Sequence, residues 1–412
     1  MERRVVITGL GAITPIGNNV EDTWNGIKNK KCGIDEITLF DASEFKTKLA
    51  CEVKDFDPLK YFELKQAKRY DRASQFAIVA SKEAMIDSGI NEENTDLDNV
   101  AVIMGSGIGG ITTLQNQCFT YNEKGRSRIS PLFIPMSIVN MVAGNVSMEL
   151  KLKGESLTMS SACASATHAI GEAYRIIKNG YEDAAIAGGA EAPICEVSIG
   201  GFENMKALSH ATDKNRASIP FDKERSGFVM GEGSGMLMLE ELEHAQKRNA
   251  KIYAEIIGYG ASSDAYHITS PDPTGNGGAR AMERALKDAQ ISPNDIDYIN
   301  AHGTSTSLND STETLAIKTV FGKDADKLMV SSTKGNTGHL LGAAGGVEAI
   351  FCIQSLKDGI IPPTINYKVR DEECDLNLVT NEIKNENIDI AMSNSLGFGG
   401  HNATIIFKKY TD

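Results

Sequence analysis

The chain has 412 residues, with 42 lysines and arginines against 55 aspartates and glutamates, and a formal net charge of −13. Hydrophobic residues make up 41% and charged residues 24%, which excludes an intrinsically disordered chain. The acidic balance argues against a nucleic-acid-binding protein, and at about 150 residues per domain the length corresponds to two or three domain-sized units or one large fused unit.

The first residues, MERRVVITGLGAITPIG, contain glycines and a proline that interrupt the apolar run, so they predict a strand and a turn and not a secretory signal peptide. The longest apolar stretch, 340–353, contains a glutamate and several glycines and is too short to span a bilayer. Seven scattered cysteines with no CxxC pair argue against a disulfide framework or a structural zinc site. We therefore expect a cytoplasmic protein that does not bind membranes.

Short runs of β-branched and aliphatic residues alternate along the chain with longer, alanine-rich stretches. The short runs predict buried strands, in chain order at 5–8, 100–104, 184–187, 236–239, 296–300 and 328–331. The longer stretches predict helices at 72–88, 164–179, 278–288, 311–320 and 345–358. Strands separated by helices indicate parallel βαβ units and an α/β fold.

Two internal similarities suggest a duplication. Residues 83–90 and 284–291 both end a predicted helix with Asp-Ser/Ala-x-Ile before a polar loop and a buried strand. Residues 159–163 (MSSAC) also resemble residues 392–396 (MSNSL). We expect two related halves, 1–252 and 253–412, whose equivalent strand ends meet at a shared site; chance similarity between αβ units is the alternative.

Cys163 lies between a strand-like run at 156–159 and the alanine-rich helix that follows it. The positive end of a helix dipole and free backbone N–H groups favour a thiolate, and the small neighbouring residues leave room for a substrate. We expect Cys163 to be a nucleophile with a lowered pKa. A buried structural cysteine is the alternative that these residues leave open.

His302 and His339 each follow a predicted strand, in loops rich in glycine, serine and threonine where catalytic groups often lie. A neutral imidazole donates a hydrogen bond to an oxyanion or moves a proton. The alternatives are loop histidines bonded to backbone and, less favoured without HExxH, a metal site. Lys334, paired with Glu313, would hold the histidines neutral, or the pair would be a surface salt bridge of little value.

The segment 394–402 (NSLGFGGHN) is a glycine-rich loop, with Phe398 at its centre. The glycines allow close backbone approach, and N–H groups there would help to form an oxyanion hole, with Phe398 as a gate. A second glycine segment, 105–110, matches G-x-G-x-x-G formally. It lacks the helix, strand and acidic residue of a dinucleotide site, so we predict a tight turn near the active cleft.

Together these segments resemble the elongating β-ketoacyl-acyl carrier protein synthases over the whole chain. In order, the matching segments are VVITGLGAITPIGN, SSACASATHAIG, AIAGGAEAP, PFDKERSGFVMGEG, SDAYHITSP, NAHGTSTSLND, STKGNTGHLLGAAG and NSLGFGGHN. The resemblance implies a thiolase-type α/β fold with five layers, α-β-α-β-α, built from two duplicated halves. It implies decarboxylative Claisen condensation of malonyl-acyl carrier protein with a cysteine-bound acyl chain in fatty-acid elongation, without a cofactor or a required metal.

The resemblance also implies a role for each candidate site residue. The resemblance implies that Cys163 is the nucleophile and that His302 and His339 carry out decarboxylation and condensation. It implies that Lys334 and Glu313 form the supporting ion pair and that Phe398 is the gate. The N–H groups of Cys163 and Phe398 would form the oxyanion hole. The implied pantetheine contacts are Thr304 and Thr306. Ile108 would limit the depth of the acyl chain, and Phe202 would be a further substrate contact. Phe133 and Ile134 would be supplied across a dimer. A structural monovalent-cation site would border Glu348 and Asn394.

The implied partners are acyl carrier protein, acyl and malonyl thioesters, and a second copy of the chain, with no nucleic acid or membrane. Because acyl carrier protein and this chain are both acidic, docking requires local basic patches. The candidate patch residues, for which ordinary solvated side chains are the alternative, are Lys65, Lys68, Arg69, Arg126, Arg128 and Lys206.

Several related enzymes and non-enzymes share parts of this pattern. A biosynthetic thiolase would have a second cysteine in the loop at 394–402, and an initiating synthase would have an asparagine for one histidine. A non-catalytic chain-length-factor-like partner subunit would lack the nucleophile, whereas a polyketide-type ketosynthase shares every motif. Departures from the family at 164–166, Ser226, Leu396 and His401 leave the pocket shape and chain-length preference open.

Overall fold

The structure, a computed structural model, describes residues 3–411. Its strands are β1 (Val5–Ile13), β2 (Asp35–Glu36), β3 (Leu49–Ala50), β4 (Val100–Gly105), β5 (Ser156–Met159), β6 (Ala184–Glu191), β7 (Gly233–Glu241), β8 (Ala254–Ser263), β9 (Tyr298–Asn300), β10 (Met329–Ser331), β11 (Ile360–Ile361), β12 (Lys384–Asn385), β13 (Ile390–Gly397) and β14 (His401–Lys409). Its α-helices are α1 (Val20–Lys28), α2 (Leu64–Ala67), α3 (Arg72–Ser88), α4 (Ile111–Lys124), α5 (Phe133–Ser137), α6 (Met141–Leu150), α7 (Ser165–Lys178), α8 (Glu196–Asn204), α9 (Lys214–Ala217), α10 (Leu242–Lys247), α11 (Asn276–Ala289), α12 (Ser307–Phe321), α13 (Lys334–Thr337) and α14 (Ala344–Asp358). Between residues 3 and 411, no helix has the length and apolarity needed to cross a bilayer.

Ten strands form one mixed sheet in the order β10-β9-β13-β14-β8-β1-β7-β6-β4-β5. Outward from the antiparallel contact between β1 and β8, each half has two antiparallel pairings followed by two parallel ones. In chain order, β1, β4, β5, β6 and β7 therefore hold the same places as β8, β9, β10, β13 and β14. The expected α/β fold of two related halves is confirmed by this repeated topology.

Helices supply the remaining layers. The helices α3 and α6 cover the outer face of the first half, α11 and α12 cover that of the second, and α7 and α14 lie between the halves and contact both. The central pair buries small and aliphatic side chains in one shared cluster, including Ala169 and Ile177 of α7 and Ile350 and Ile353 of α14. Each half of the sheet is one β layer, so the outer and central helices complete the expected order α-β-α-β-α, and burial of this apolar surface holds the layers together.

Strand β1 is longer than predicted because it continues through two glycines that the sequence pattern treats as breaks. A Cβ on Gly9 or Gly11 would lie 2.1 or 1.9 Å from a backbone oxygen of α3. The glycines therefore let α3 pack directly against the strand. The helix α3 has the predicted bounds, whereas β8 and β14 were missed because glycines and polar residues interrupt their apolar pattern.

One of the two internal similarities follows the duplication and the other does not. The segments 83–90 and 284–291 include the ends of α3 and α11, which pack on the equivalent strands β1 and β8. The segment 159–163 follows β5, whose counterpart is β10, but 392–396 lies in β13. The second similarity is therefore a wrong assignment, arising from small residues that both segments use for close packing.

The loops at the carboxyl ends of the parallel strands bring the candidate residues together. Cys163 follows β5, His302 follows β9, His339 follows β10 and Phe398 follows β13. Since β5 and β10 are counterparts, the loops carrying Cys163 and His339 hold equivalent places in the two halves. The fold thus places a site where the two halves meet, as in other α/β folds with ligands at strand ends.

Candidate active site

Cys163 immediately precedes Ala164, the N-cap of α7, and its side chain is buried. The residue before it, Ala162, has a left-handed backbone with φ of +50°, which costs free energy for a residue with a side chain. The Ser165 hydroxyl fixes this turn by accepting the N–H of Ser161 at 2.9 Å and donating to the Ala162 carbonyl at 2.6 Å. The strained turn therefore holds the sulfur in one place.

The sulfur of Cys163 and ring nitrogens of His302 and His339 lie within 4.8 Å of one another. The two imidazoles are arranged edge to face, with ring centroids 5.2 Å apart. Nδ1 of His302 and both ring nitrogens of His339 have no hydrogen-bond partner among residues 3–411. The structure thus brings the three predicted residues together, with polar atoms left for a substrate to engage.

Both histidines are held neutral. Burial lowers the pKa of His302 and of His339 well below the usual value, and the positive charge of Lys334 lowers both further. A neutral imidazole carries one N–H donor and one acceptor nitrogen. The predicted effect of the lysine is therefore present, although burial is the larger cause.

The predicted lowering of the Cys163 pKa is wrong. Burial raises the pKa of this thiol to about 12, and the charge of Lys334 and the N–H groups of Phe398 and Cys163 offset only part of that rise. The sulfur loses more stabilisation from hydration than the helix end returns. With this pKa the resting group is a thiol.

The glycine-rich segment forms the tight turn between β13 and β14, in which Gly397 pairs with His401. A Cβ on Gly397 would lie 2.8 Å from the Ser161 carbonyl oxygen and 3.2 Å from the Cys163 nitrogen, so only glycine lets this turn approach the nucleophile turn. The N–H groups of Phe398 and Cys163 both interact with the sulfur. Two backbone donors therefore face the sulfur.

Lys334 pairs with Glu348, so the predicted ion pair with Glu313 is wrong. The Lys334 ammonium forms a buried ion pair with Glu348 of α14 and donates to the His302 carbonyl oxygen at 2.6 Å. Glu313 of α12 instead accepts the backbone N–H groups of His302 and Gly303, each at 2.8 Å, and burial raises its pKa to about 7. The two groups thereby hold the His302 backbone from both sides.

A cavity of about 620 Å³ extends from the cysteine and the two histidines to the surface. Five predicted substrate or gate residues line it, namely Ile108, Phe202, Thr304, Thr306 and Phe398. The hydroxyl groups of Thr304 and Thr306 lie 3.0 Å apart and hydrogen-bond to each other. Phe202 packs near Phe398, with ring centroids 6.2 Å apart. The cavity thus has an apolar wall and a hydroxyl-bearing wall.

Other predicted residues lie away from this cavity. Phe133 and Ile134 are on α5 and do not line it, and the Ile134 side chain is 56% exposed. Of the six basic residues, only Lys206 lines the cavity. The five others are exposed on the surface, namely Lys65, Lys68, Arg69, Arg126 and Arg128. One copy of the chain therefore does not gather all the predicted residues.

The expected cation site near Glu348 and Asn394 contains several buried polar atoms. Oε2 of Glu348, Oδ1 of Asn300 and Oγ of Ser393 have no hydrogen-bond partner in the described part of the chain. Asn300 and Ser393 are paired residues on β9 and β13, and the side-chain Oδ1 of Asn394 accepts the Thr404 hydroxyl at 2.8 Å. Buried oxygens without donors fit a hard monovalent cation.

Sequence reasoning missed three residues that shape the site. The Phe228 ring lies edge-on to His339, with centroids 5.3 Å apart, and Leu341 lines the cavity. Glu191 ends β6 and its carboxylate is buried beside the cavity wall. The available signal for Glu191 was a single acid closing an otherwise small and apolar strand, AAIAGGAE.

Comparison with known proteins gives a consistent result. The family model described as "Beta-ketoacyl synthase, N-terminal domain" matches residues 2–245, and "Beta-ketoacyl synthase, C-terminal domain" matches residues 253–368. The 3-oxoacyl-acyl-carrier-protein synthase 2 of Staphylococcus aureus (strain N315) is 50% identical over 408 residues, which cover 99% of each chain.

Two solved structures have the same fold as this chain. A β-ketoacyl synthase from Burkholderia phymatum superimposes with a TM-score of 0.92 at 35% identity, covering 99% of this chain and 100% of that chain. A ketosynthase described in complex with its type II polyketide acyl-carrier protein superimposes with a TM-score of 0.93 at 35% identity, covering 100% of both chains.

Proposed function

The chain belongs to the β-ketoacyl synthase family, and we propose that Cys163, His302 and His339 carry out its condensation reaction. The enzyme is an acyltransferase of fatty-acid synthesis. It joins malonyl-acyl carrier protein to an enzyme-bound acyl chain with loss of CO₂ and yields β-ketoacyl-acyl carrier protein. The observation that carries the residue assignment is the sulfur within 4.8 Å of ring nitrogens of both histidines beside one cavity.

In the first stage, the Cys163 sulfur attacks the carbonyl carbon of an acyl thioester. The new S–C bond forms, the bond to the carrier's sulfur breaks, and the thiol proton ends on the departing carrier thiol. Because burial raises the pKa of the free thiol to about 12, the proton leaves during the attack and passes through a ring nitrogen of the histidine pair. The N–H groups of Cys163 and Phe398 donate to the tetrahedral oxyanion.

In the second stage, the malonyl group loses CO₂ and the electrons of the broken C–C bond form an enolate. The neutral imidazoles of His302 and His339 donate to the thioester oxygen on which charge develops, each worth about 3 kcal/mol if well placed. The enolate carbon then attacks the bound acyl carbonyl, the C–S bond to Cys163 breaks, and the leaving thiolate takes one proton from water. Because decarboxylation supplies the carbanion, the site requires no strong base.

The cavity wall supports the roles of the substrate residues. Thr304 and Thr306 would bind the pantetheine arm through the hydroxyl groups that now bond each other. Ile108 would limit the depth available to the acyl chain, and Phe202 would pack against it with the gate Phe398. All these side chains line the same cavity as Cys163.

The chain acts as a homodimer in this proposal, with Phe133 and Ile134 reaching the partner's cavity. Strand β5 is an exposed edge of the ten-stranded sheet, and an open edge of this kind pairs readily with another chain. Exposed apolar side chains concentrate on β5 and α4 to α6, namely Leu114, Phe119, Tyr121, Leu132, Ile134, Ile138, Met148 and Leu157. Such a patch is typical of a protein interface.

Acyl carrier protein is the partner that delivers both substrates. One solved relative is itself described in complex with an acyl-carrier protein. Docking would use two patches of exposed basic side chains against the acidic carrier, Lys65 with Lys68 and Arg69, and Lys206 with Arg126 and Arg128. Lys206 is the member that lines the cavity, so it marks the mouth through which the pantetheine arm would pass.

We also propose the division into two halves, a cytoplasmic location and a bound cation. The division into halves 1–252 and 253–412 falls between α10 and β8. The cysteines of the described chain are free, as in a reducing cytoplasm. A structural monovalent cation would be held by oxygens of Glu348 and its neighbours, with no part in the chemistry.

The alternatives are less well supported. A non-catalytic chain-length-factor-like subunit would have no use for a buried cysteine facing two unpartnered histidines. A polyketide-type ketosynthase shares the fold, but that solved relative is 35% identical, whereas the fatty-acid relative is 50% identical.

Transfer of an acyl group to the enzyme tests the assignment of the nucleophile. After incubation with acyl-acyl carrier protein, intact mass should show one acyl adduct on the wild type and on the surface control Cys118→Ala, and none on Cys163→Ala. His339→Ala should still acquire the adduct but lose most condensation. An adduct on Cys163→Ala would refute the assignment of the nucleophile.

A further inference from the structure

The Glu191 carboxylate is buried without a cation to balance it in the described chain. Oε2 accepts the N–H of Gly107 at 2.6 Å and of Gly342 at 3.0 Å, and Oε1 accepts the N–H of Ile108 at 3.2 Å and the Ser106 hydroxyl at 2.9 Å. The Ser106 oxygen in turn accepts the N–H of Gly109 at 3.1 Å, which fixes its hydroxyl as the donor to Glu191. Four donors thus meet one carboxylate and offset part of the rise that burial causes in its pKa.

The two loops that Glu191 joins form neighbouring parts of the cavity wall. Ile108 follows β4 and Leu341 lies two residues beyond His339, and both line the cavity. The loops touch so closely that a Cβ on Gly342 would lie 2.3 Å from the Gly107 nitrogen and 2.5 Å from Oε2 of Glu191. Leu341 itself has a left-handed backbone with φ of +46°, which the surrounding contacts must hold.

The repeated topology gives this position a counterpart. Glu191 ends β6, and β6 corresponds to β13, whose end carries the turn with Phe398. In the second half, the end of β13 supplies N–H donors near the sulfur. In the first half, the end of β6 carries the acceptor Glu191, which binds N–H donors from two loops of the cavity wall.

We propose that Glu191 is a positioning residue that sets the separation of Ile108 and Leu341, and thereby the length of acyl chain the cavity accepts. This inference rests on the proposed function. An acyl chain that ends before Ile108 would not reach this part of the wall, whereas a longer chain would pass between Ile108 and Leu341. Its effect should therefore depend on chain length, which a merely structural role would not produce.

Glu191→Gln is the direct test, because it keeps the side-chain size but turns an NH₂ group toward backbone donors. We expect the ratio of kcat/KM for long over short acyl-carrier protein substrates to change by about tenfold, with KM for the long chain carrying most of it. Ser106→Ala, which removes one donor, should shift the ratio in the same direction by less.

Glu240→Gln is the matched control. Glu240 is also a buried strand carboxylate, but it pairs with Arg248 away from the cavity. The Glu240→Gln variant should have a lower melting temperature and an unchanged ratio of kcat/KM for long over short acyl chains. If Glu191→Gln does not fold, Ser106→Ala decides the question.

An unchanged ratio in the folded variants would overturn the role of Glu191. Failure of the proposed function would look different. In that case the wild type itself would form no β-ketoacyl product with a carrier-bound chain of any length.

Discussion

Removing the Lys334 side chain should destabilise the protein strongly, because it leaves a buried carboxylate without its cation. Lys334 is 1% exposed and Glu348 is 3% exposed, and the two form an ion pair. Breaking such a pair by deleting one partner costs about 3–5 kcal/mol. That is a large share of the roughly 5–15 kcal/mol that stabilises a typical protein.

The double variant Lys334→Met with Glu348→Gln should recover at least about 2 kcal/mol relative to Lys334→Ala, since no unpaired charge stays buried. Guanidinium unfolding of the wild type and both variants measures the difference. Burial already raises the pKa of Glu348, and loss of the lysine charge raises it further. At low pH the Glu348 carboxyl of Lys334→Ala is protonated and carries no buried charge. The loss in free energy of unfolding of Lys334→Ala should therefore grow as the pH rises above 4.5, the ordinary pKa of a glutamate.

Activity separates the electrostatic role of the lysine from its role in stability. Because the Lys334 charge lowers the pKa of both histidines, either variant should protonate them at higher pH and lose malonyl decarboxylation earlier on acidification. Stability should return only in the double variant. The reasoning fails if Lys334→Ala stays within about 1 kcal/mol of the wild type, or if the double variant is no more stable than the single one.

Three other outcomes follow from the structure. Since burial raises the pKa of the Cys163 thiol to about 12, its alkylation rate should rise about tenfold per pH unit with no plateau below about pH 9, and a plateau near neutrality would contradict this. Leu157→Lys should convert a dimer into a monomer in light scattering, whereas the equally exposed control Leu315→Lys should not; a monomeric wild type would remove the proposed interface. Charge reversal at Lys65 and Arg69 should raise KM for carrier-bound substrate by about tenfold at low salt, and an equal KM would remove this patch.

Much of the fold was predictable because periodicity and strand–helix alternation are local properties. The helix α3 has the predicted bounds, and the first segment similarity lies on equivalent helices of the two halves. The extent of β1 was not predictable, because the role of Gly9 depends on a helix that packs on it from far along the chain. The same effect hid β8, whose Gly258 and Gly260 pack against the backbone of α11.

The candidate site shows the same division between local and distant information. That Cys163, His302 and His339 lie close together could be predicted, since each follows a strand in a loop of small residues. Two errors came from interactions with distant residues. The partner of Lys334 depends on which helix reaches the ammonium, and the pKa of Cys163 depends on how completely the assembled halves exclude water.

The central position of α7 and α14 has a consequence for how the protein is made. On the ribosome, α7 is synthesised more than a hundred residues before α14, so its apolar face waits without its partner until the second half emerges. Nascent chains in this state expose an apolar surface, and we expect chaperones to bind them. The long sequence separation also predicts slow maturation, and a newly made chain acquires its chemistry only when the last-made part docks.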